Sequence, residues 1–161
     1  MFSIWSFSCA CFISGVCYAQ EFGEYEKGID YFQAAVDSRP DYEFGGVAYS
    51  LIARYTKKLK DSGAIAEAEA DARIKEAYQA VVESWPDCRW VETALLELGR
   101  MCFAEGEIVD AIMYYEMLLD RSAEKVCLVG NDLIAGYTEM GDVEMAEQVR
   151  AELTKRGCPG M

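Results

Sequence analysis

The chain has 161 residues, no histidine, and a formal net charge of -13 from 28 acidic and 15 basic side chains. That length suits one domain able to bury its own core, and an acidic field of this size repels phosphate backbones and anionic lipid, which sets nucleic acid aside as a partner. Without histidine there is no Ser-His-Asp or Cys-His catalytic arrangement and no His-containing zinc site.

In chain order, the first element is "MFSIWSFSCACFISGVCYAQ", which carries no charged side chain from Met1 to Gln20. An apolar run followed by Cys17-Tyr18-Ala19 suits cleavage after Ala19. Residues 1–19 are therefore expected to be a signal peptide and the mature chain, residues 20–161, to be periplasmic or secreted, although no Lys or Arg precedes the apolar core. An uncleaved membrane anchor is the alternative, and membrane contact is expected only if the segment is retained or lipidated. Lipidation has a poor match here, because the bulky Val16 stands just before Cys17.

Everything after residue 20 reads as helix, in a composition rich in Ala, Glu, Leu and Tyr and poor in Pro. Gly23 opens a segment with Tyr25, Gly28, Phe32 and Ala35 at helical spacing, and Pro40 is expected to stop it. "RPDYE" at 39–43 and "WPDCR" at 85–89 form matching corners, with Asp41 and Asp87 placed to cap the helices that follow. Between them lie "GGVAYSLIARYTKKL" and the longer "KDSGAIAEAEADARIKEAYQAVVESW". Together these exceed a regular pair and indicate an insertion around residues 57–70. The cluster Lys57, Lys58, Lys60 reads as a solvated helix end, and i, i+4 acidic pairs such as Glu67 with Asp71 read as a solvated face.

The next stretch, "ELGRMCFAEGEIVDAIMYYEMLL", repeats itself. Gly106 is followed by Ile108, Ala111, Tyr115 and Leu118, and Gly141, 35 residues later, by Val143, Ala146, Arg150 and Leu153. Upstream, Leu95, Leu98, Gly99 and Cys102 correspond to Gly130, Leu133, Ile134 and Tyr137. A period of this length means stacked helix hairpins, each turned at a glycine that accepts a left-handed backbone. Cys102 falls on a core position and reads as a small hydrophobe rather than a nucleophile. Loss of residues 1–19 leaves Cys88, Cys102, Cys127 and Cys158, for which three pairings are open. Among them Cys127–Cys158 is geometrically reasonable, since the two ends of a helical hairpin lie close.

This pattern resembles the tetratricopeptide repeat over most of residues 21–157. The resemblance implies an all-α fold: a right-handed superhelix of antiparallel helix hairpins, an α-solenoid of about 3.5 repeats. Its parts are a half repeat at 21–40, an extended repeat at 43–86, and repeats at 92–123 and 127–157. "VVESWPDCRWVETALLELGRMCFAEGEIVDAIMYYEMLL" also resembles the repeats of exported bacterial envelope proteins, such as outer-membrane assembly lipoproteins and periplasmic division coordinators. That likeness implies a non-enzymatic scaffold in the cell envelope that holds a peptide or partner protein in a concave groove. A structural subunit of an oligomer or envelope complex, with no free groove, is the alternative.

In such arrays the first helix of each hairpin lines the groove. Carried over, those positions are Tyr49, Ala53, Thr56 and Lys57, then Thr93, Leu96, Arg100 and Phe103, then Asn131, Ala135 and Thr138. Tyr49, Arg100, Phe103 and Asn131 are the expected anchors, since aromatic and Arg side chains dominate contact energies. A clamp for chaperone C-terminal carboxylates needs two asparagines, and this chain has only Asn131. No cofactor, metal or small-molecule substrate is expected, and no Gly-rich phosphate-binding string occurs.

Overall fold

The computed structural model describes residues 4–39 and 41–158, with side chains from residue 7 onward. Among these residues every regular element is helical, and the fold is all-α. The helices are α1 (Ile4–Val16), α2 (Tyr25–Asp37), α3 (Gly45–Asp61), α4 (Glu67–Ser84), α5 (Val91–Glu105), α6 (Ile108–Arg121), α7 (Val126–Glu139) and α8 (Val143–Arg156). A π-helical turn, Cys17–Glu21, continues α1, and a 3-10 turn, Ala123–Lys125, precedes α7. The chain divides into two compact units, Met1–Ala94 and Leu95–Met161.

In unit 1, α1 packs on α2, α2 on α3 and α3 on α4. The core is built from Ile29, Phe32, Ala35 and Val36 of α2, Ala48, Ile52 and Tyr55 of α3, and Ala70, Ile74, Ala77 and Val81 of α4. These recur at three- and four-residue spacing, so one stripe of each helix is apolar and the remainder carries charge. The surplus length expected around residues 57–70 becomes extra turn. α3 has 17 residues and α4 has 18, against 14 in each of α6, α7 and α8. Lys60 ties the two extensions together, its ammonium 2.7 Å from Asp71 and 3.1 Å from Glu67. The acidic pair Glu67 and Asp71 is thus a clamp on a lysine, and Lys58 of the same basic cluster lies 5.0 Å above the Tyr25 ring.

Two details of unit 1 differ from the sequence reading. Residues 21–40 are not a lone second helix, because α1 supplies the first helix of that hairpin. Asp41 does not cap α3: its carboxylate pairs with Arg39 at 2.9 Å, and α3 starts after Phe44 with no side-chain cap. The guanidinium holds the Asp41 carboxyl below its usual range. The helix stop assigned to Pro40 lies outside the described residues.

In unit 2, the turn glycines sit where the periodicity puts them. Gly106 and Gly141 have φ of 80° and 79°, a left-handed backbone that reverses the chain between α5 and α6 and between α7 and α8. Asp142 then caps α8 by accepting a hydrogen bond from the Met145 amide at 3.1 Å. Hairpin packing turns on close approach: a Cβ on Gly99 would collide with the ring of Tyr115, a fully enclosed side chain. Leu95, Leu98, Cys102, Ala111 and Leu118 complete this core, each 1% exposed or less. Cys102 is a buried thiol that takes part in no disulfide. Cys127 and Cys158 are joined by a disulfide, with Cα atoms 5.3 Å apart, closing the open end of the α7–α8 hairpin.

Candidate functional site

The residues expected along the groove fall into both units, so each set is described on its own. In unit 1, Ala53 and Thr56 are 0% exposed and present nothing to a partner. They face inward because α3 is covered on two sides, by α2 and by α4. Tyr49 is half-buried, its ring 5.4 Å from that of Trp85. It lines a small cleft of about 210 Å³ with Ile29, Asp30, Gln33, Arg73 and Glu76. Lys57 and Thr93 are exposed.

In unit 2, Leu96, Arg100 and Phe103 lie at i, i+4 and i+7 on α5 and therefore share one face. Leu96 and Phe103 are half-buried and Arg100 is exposed, while Leu95, Leu98 and Cys102 on the other side of α5 are core. Arg100 is held by Glu97 at 3.1 Å, an exposed pair one helical turn apart that costs little to break. The result is a cation between two apolar side chains. α7 repeats the spacing with Asn131, Ala135 and Thr138, all exposed. Thr138 directs its hydroxyl back to the Ile134 carbonyl at 2.6 Å, so its outward surface is mainly the methyl group.

Two tyrosines fasten α6 to α7 beneath this surface. The Tyr115 hydroxyl donates to Asp132 at 2.9 Å, and the Tyr137 hydroxyl donates to Glu116. Burial, reinforced by the carboxylate hydrogen bond, pushes both phenols well above their ordinary range. They are structural pins at neutral pH rather than acids or bases. Among the described residues no cluster of cysteine and acidic side chains is arranged to hold a metal ion.

One surface feature was missed in the sequence. The "WPDCR" corner, read as a helix boundary, is one side of an open cleft of about 820 Å³ in unit 1. Phe12, Phe44, Val47 and Trp85 give it apolar walls, and Glu43 and Arg89 also line it. The two corners are joined there, because the Trp85 indole N–H donates to the Tyr42 carbonyl at 3.2 Å. Arg89 is held in place above the Trp90 ring, 4.9 Å from its centroid. Nothing local in the sequence signals this cleft, since its walls come from segments some 30 to 40 residues apart and meet only on folding.

No family model matches this chain, and no curated protein resembles it closely enough to register.

Proposed function

We propose that the protein is a non-enzymatic interaction module, built from tetratricopeptide-like hairpins stacked as a solenoid, that holds a peptide or partner protein. The observation that carries this reading is the outward face of α5, where Arg100 stands exposed between half-buried Leu96 and Phe103 above a rigid core. Such a face suits an extended or helical peptide with an apolar side chain and a carboxylate. Asn131 and Thr138 of α7 are the further contacts proposed in unit 2, and Tyr49, Lys57 and Thr93 those in unit 1. The Cys127–Cys158 bridge supports an oxidising environment for the working protein.

The test is a displayed peptide library selected on the full chain. Affinity of the selected peptide is then measured for the wild type and for Arg100→Ala/Phe103→Ala. A loss of tenfold or more, of the order expected for two anchor side chains, with unchanged far-UV circular dichroism supports the assignment. Unchanged affinity removes it.

A second reading, a structural subunit of an oligomer, is favoured by a different feature. Val109, Met113 and Met117 form an exposed stripe at i, i+4 and i+8 on α6, with Val109 66% exposed. α2 offers no comparable edge, because Ile29 and Phe32 are 4% and 0% exposed. Sedimentation over a wide concentration range separates the readings, because a subunit gains mass with concentration and a free module does not.

A further inference from the structure

The uncharged N-terminal run does more than form an apolar helix: it fits α2 at specific points. Ser8 is 0% exposed, and its hydroxyl meets that of Ser38 at 2.8 Å. Phe12 enters an aromatic cluster, its ring 5.5 Å from Phe32 and 5.9 Å from Phe44. Tyr18 stacks on Tyr31 at 5.2 Å with the planes 8° apart. The two helices touch through small residues. A Cβ on Gly15 would lie 2.8 Å from the Phe32 ring, and one on Gly28 would lie 2.7 Å from the Ala19 Cβ. Ala19 itself is 3% exposed. The opposite side of α1 keeps Phe7 and Ile13 at 56% and 62% exposure, so the fit is confined to the face that meets α2.

A second observation is independent of these contacts and concerns register. In unit 2, Gly99 lies under Tyr115, the ring nine positions after the turn glycine Gly106. In unit 1, Gly15 lies under Phe32, the ring nine positions after the turn glycine Gly23, whose φ is 69°. Gly15 precedes its turn glycine by eight residues and Gly99 by seven. The π-helical turn at Cys17–Glu21 absorbs the extra residue and returns Gly15 to the repeat position. Export machinery reads a leader by its hydrophobicity, which calls for neither the glycine under the ring nor a register correction.

From this we infer that residues 4–21 are the first helix of the first hairpin and remain in the working protein, so that the bond after Ala19 is not a processing site. Phe12 is one wall of the 820 Å³ cleft, so retention of α1 also keeps that surface intact. The inference is independent of the peptide-binding reading, which rests on unit 2.

The experiment uses the full chain with its own N-terminus, produced in a bacterial host and recovered from the soluble fraction. Intact mass and N-terminal sequencing are expected to find the bond after Ala19 uncut and residues 4–19 present. Hydrogen-exchange mass spectrometry is expected to protect residues 8–19 as strongly as α2. Gly15→Leu is expected to lower Tm by roughly 5–10 °C, because the added side chain forces α1 off Phe32. A leader responds oppositely, since Gly15→Leu only makes it more apolar and leaves the Tm of the domain unchanged. An N-terminus at Gln20, recovery of the full chain only with membranes, or unprotected amides across residues 8–19 would each overturn the inference. These three readouts need no variant, so they hold even if Gly15→Leu fails to fold.

Discussion

Tyr115 allows packing and hydrogen bonding in unit 2 to be separated. Its ring is fully enclosed against Gly99, and its hydroxyl donates to Asp132 at 2.9 Å. Tyr115→Phe removes only the hydroxyl. A hydrogen bond to a charged group is worth about 1.5–3 kcal/mol, but Asp132 is half-buried and water partly replaces the lost donor, so a loss of about 1 kcal/mol is expected. Tyr115→Ala also empties the space beside Gly99, where no Cβ helps to fill it, and should cost about 3–5 kcal/mol. Urea titrations followed by far-UV circular dichroism measure both, because the tryptophans Trp5, Trp85 and Trp90 all precede unit 2. The pH dependence gives a separate check. A phenol whose pKa is raised in the folded state keeps its proton where the unfolded chain has lost it, so its stabilisation is complete below about pH 10 and declines as pH rises further. Wild type should therefore weaken above that pH, and Tyr115→Phe less steeply, with Tyr137 supplying the remaining slope. Equal losses in the Phe and Ala variants would refute the ring as the main support. A loss in the Ala variant below about 1 kcal/mol would refute the close packing against Gly99.

Reduction of Cys127–Cys158, whose cysteines are 31 residues apart, should lower the stability of unit 2 by about 3–4 kcal/mol in the chain-entropy model; an unchanged urea midpoint in reductant would count against the bridge. Lys60→Met should destabilise the α3–α4 extension at neutral pH, and added salt should weaken the wild-type advantage. Because Asp71 and then Glu67 raise the Lys60 pKa, that contribution is complete below the unfolded lysine pKa and is lost as pH rises through the folded one. A Lys60→Met variant that matches wild type at pH 7 in low salt would show that the clamp contributes nothing.

The legible parts of the fold were those in which one residue's own conformational range decides the structure. Gly106 and Gly141 could be placed because a left-handed turn is a local demand on the backbone. Tyr115 and Leu118 could be assigned to the core because their spacing puts them on one stripe of one helix. Ala53 and Thr56 were misplaced for a related reason. The repeat position is correct for a first helix, but α3 is covered by helices on two sides and leaves no open face there. Asp41 was misread because a nearby arginine, Arg39, offered its carboxylate a stronger partner than the backbone amides of α3.

By itself, then, the chain determined its helical class, its period of about 35 residues and the position of its turns, all set by interactions within a few residues of one another. The tertiary structure alone decided which of three pairings Cys127 and Cys158 would form, and that Trp85 and Phe12 share a cleft. It also decided that the uncharged run before Ala19 lies in the groove of α2. An apolar helix looks the same in sequence whether it is a leader or a buried layer. What distinguishes them is the surface opposite, where Gly28 and Phe32 are shaped to meet Gly15 and Ala19.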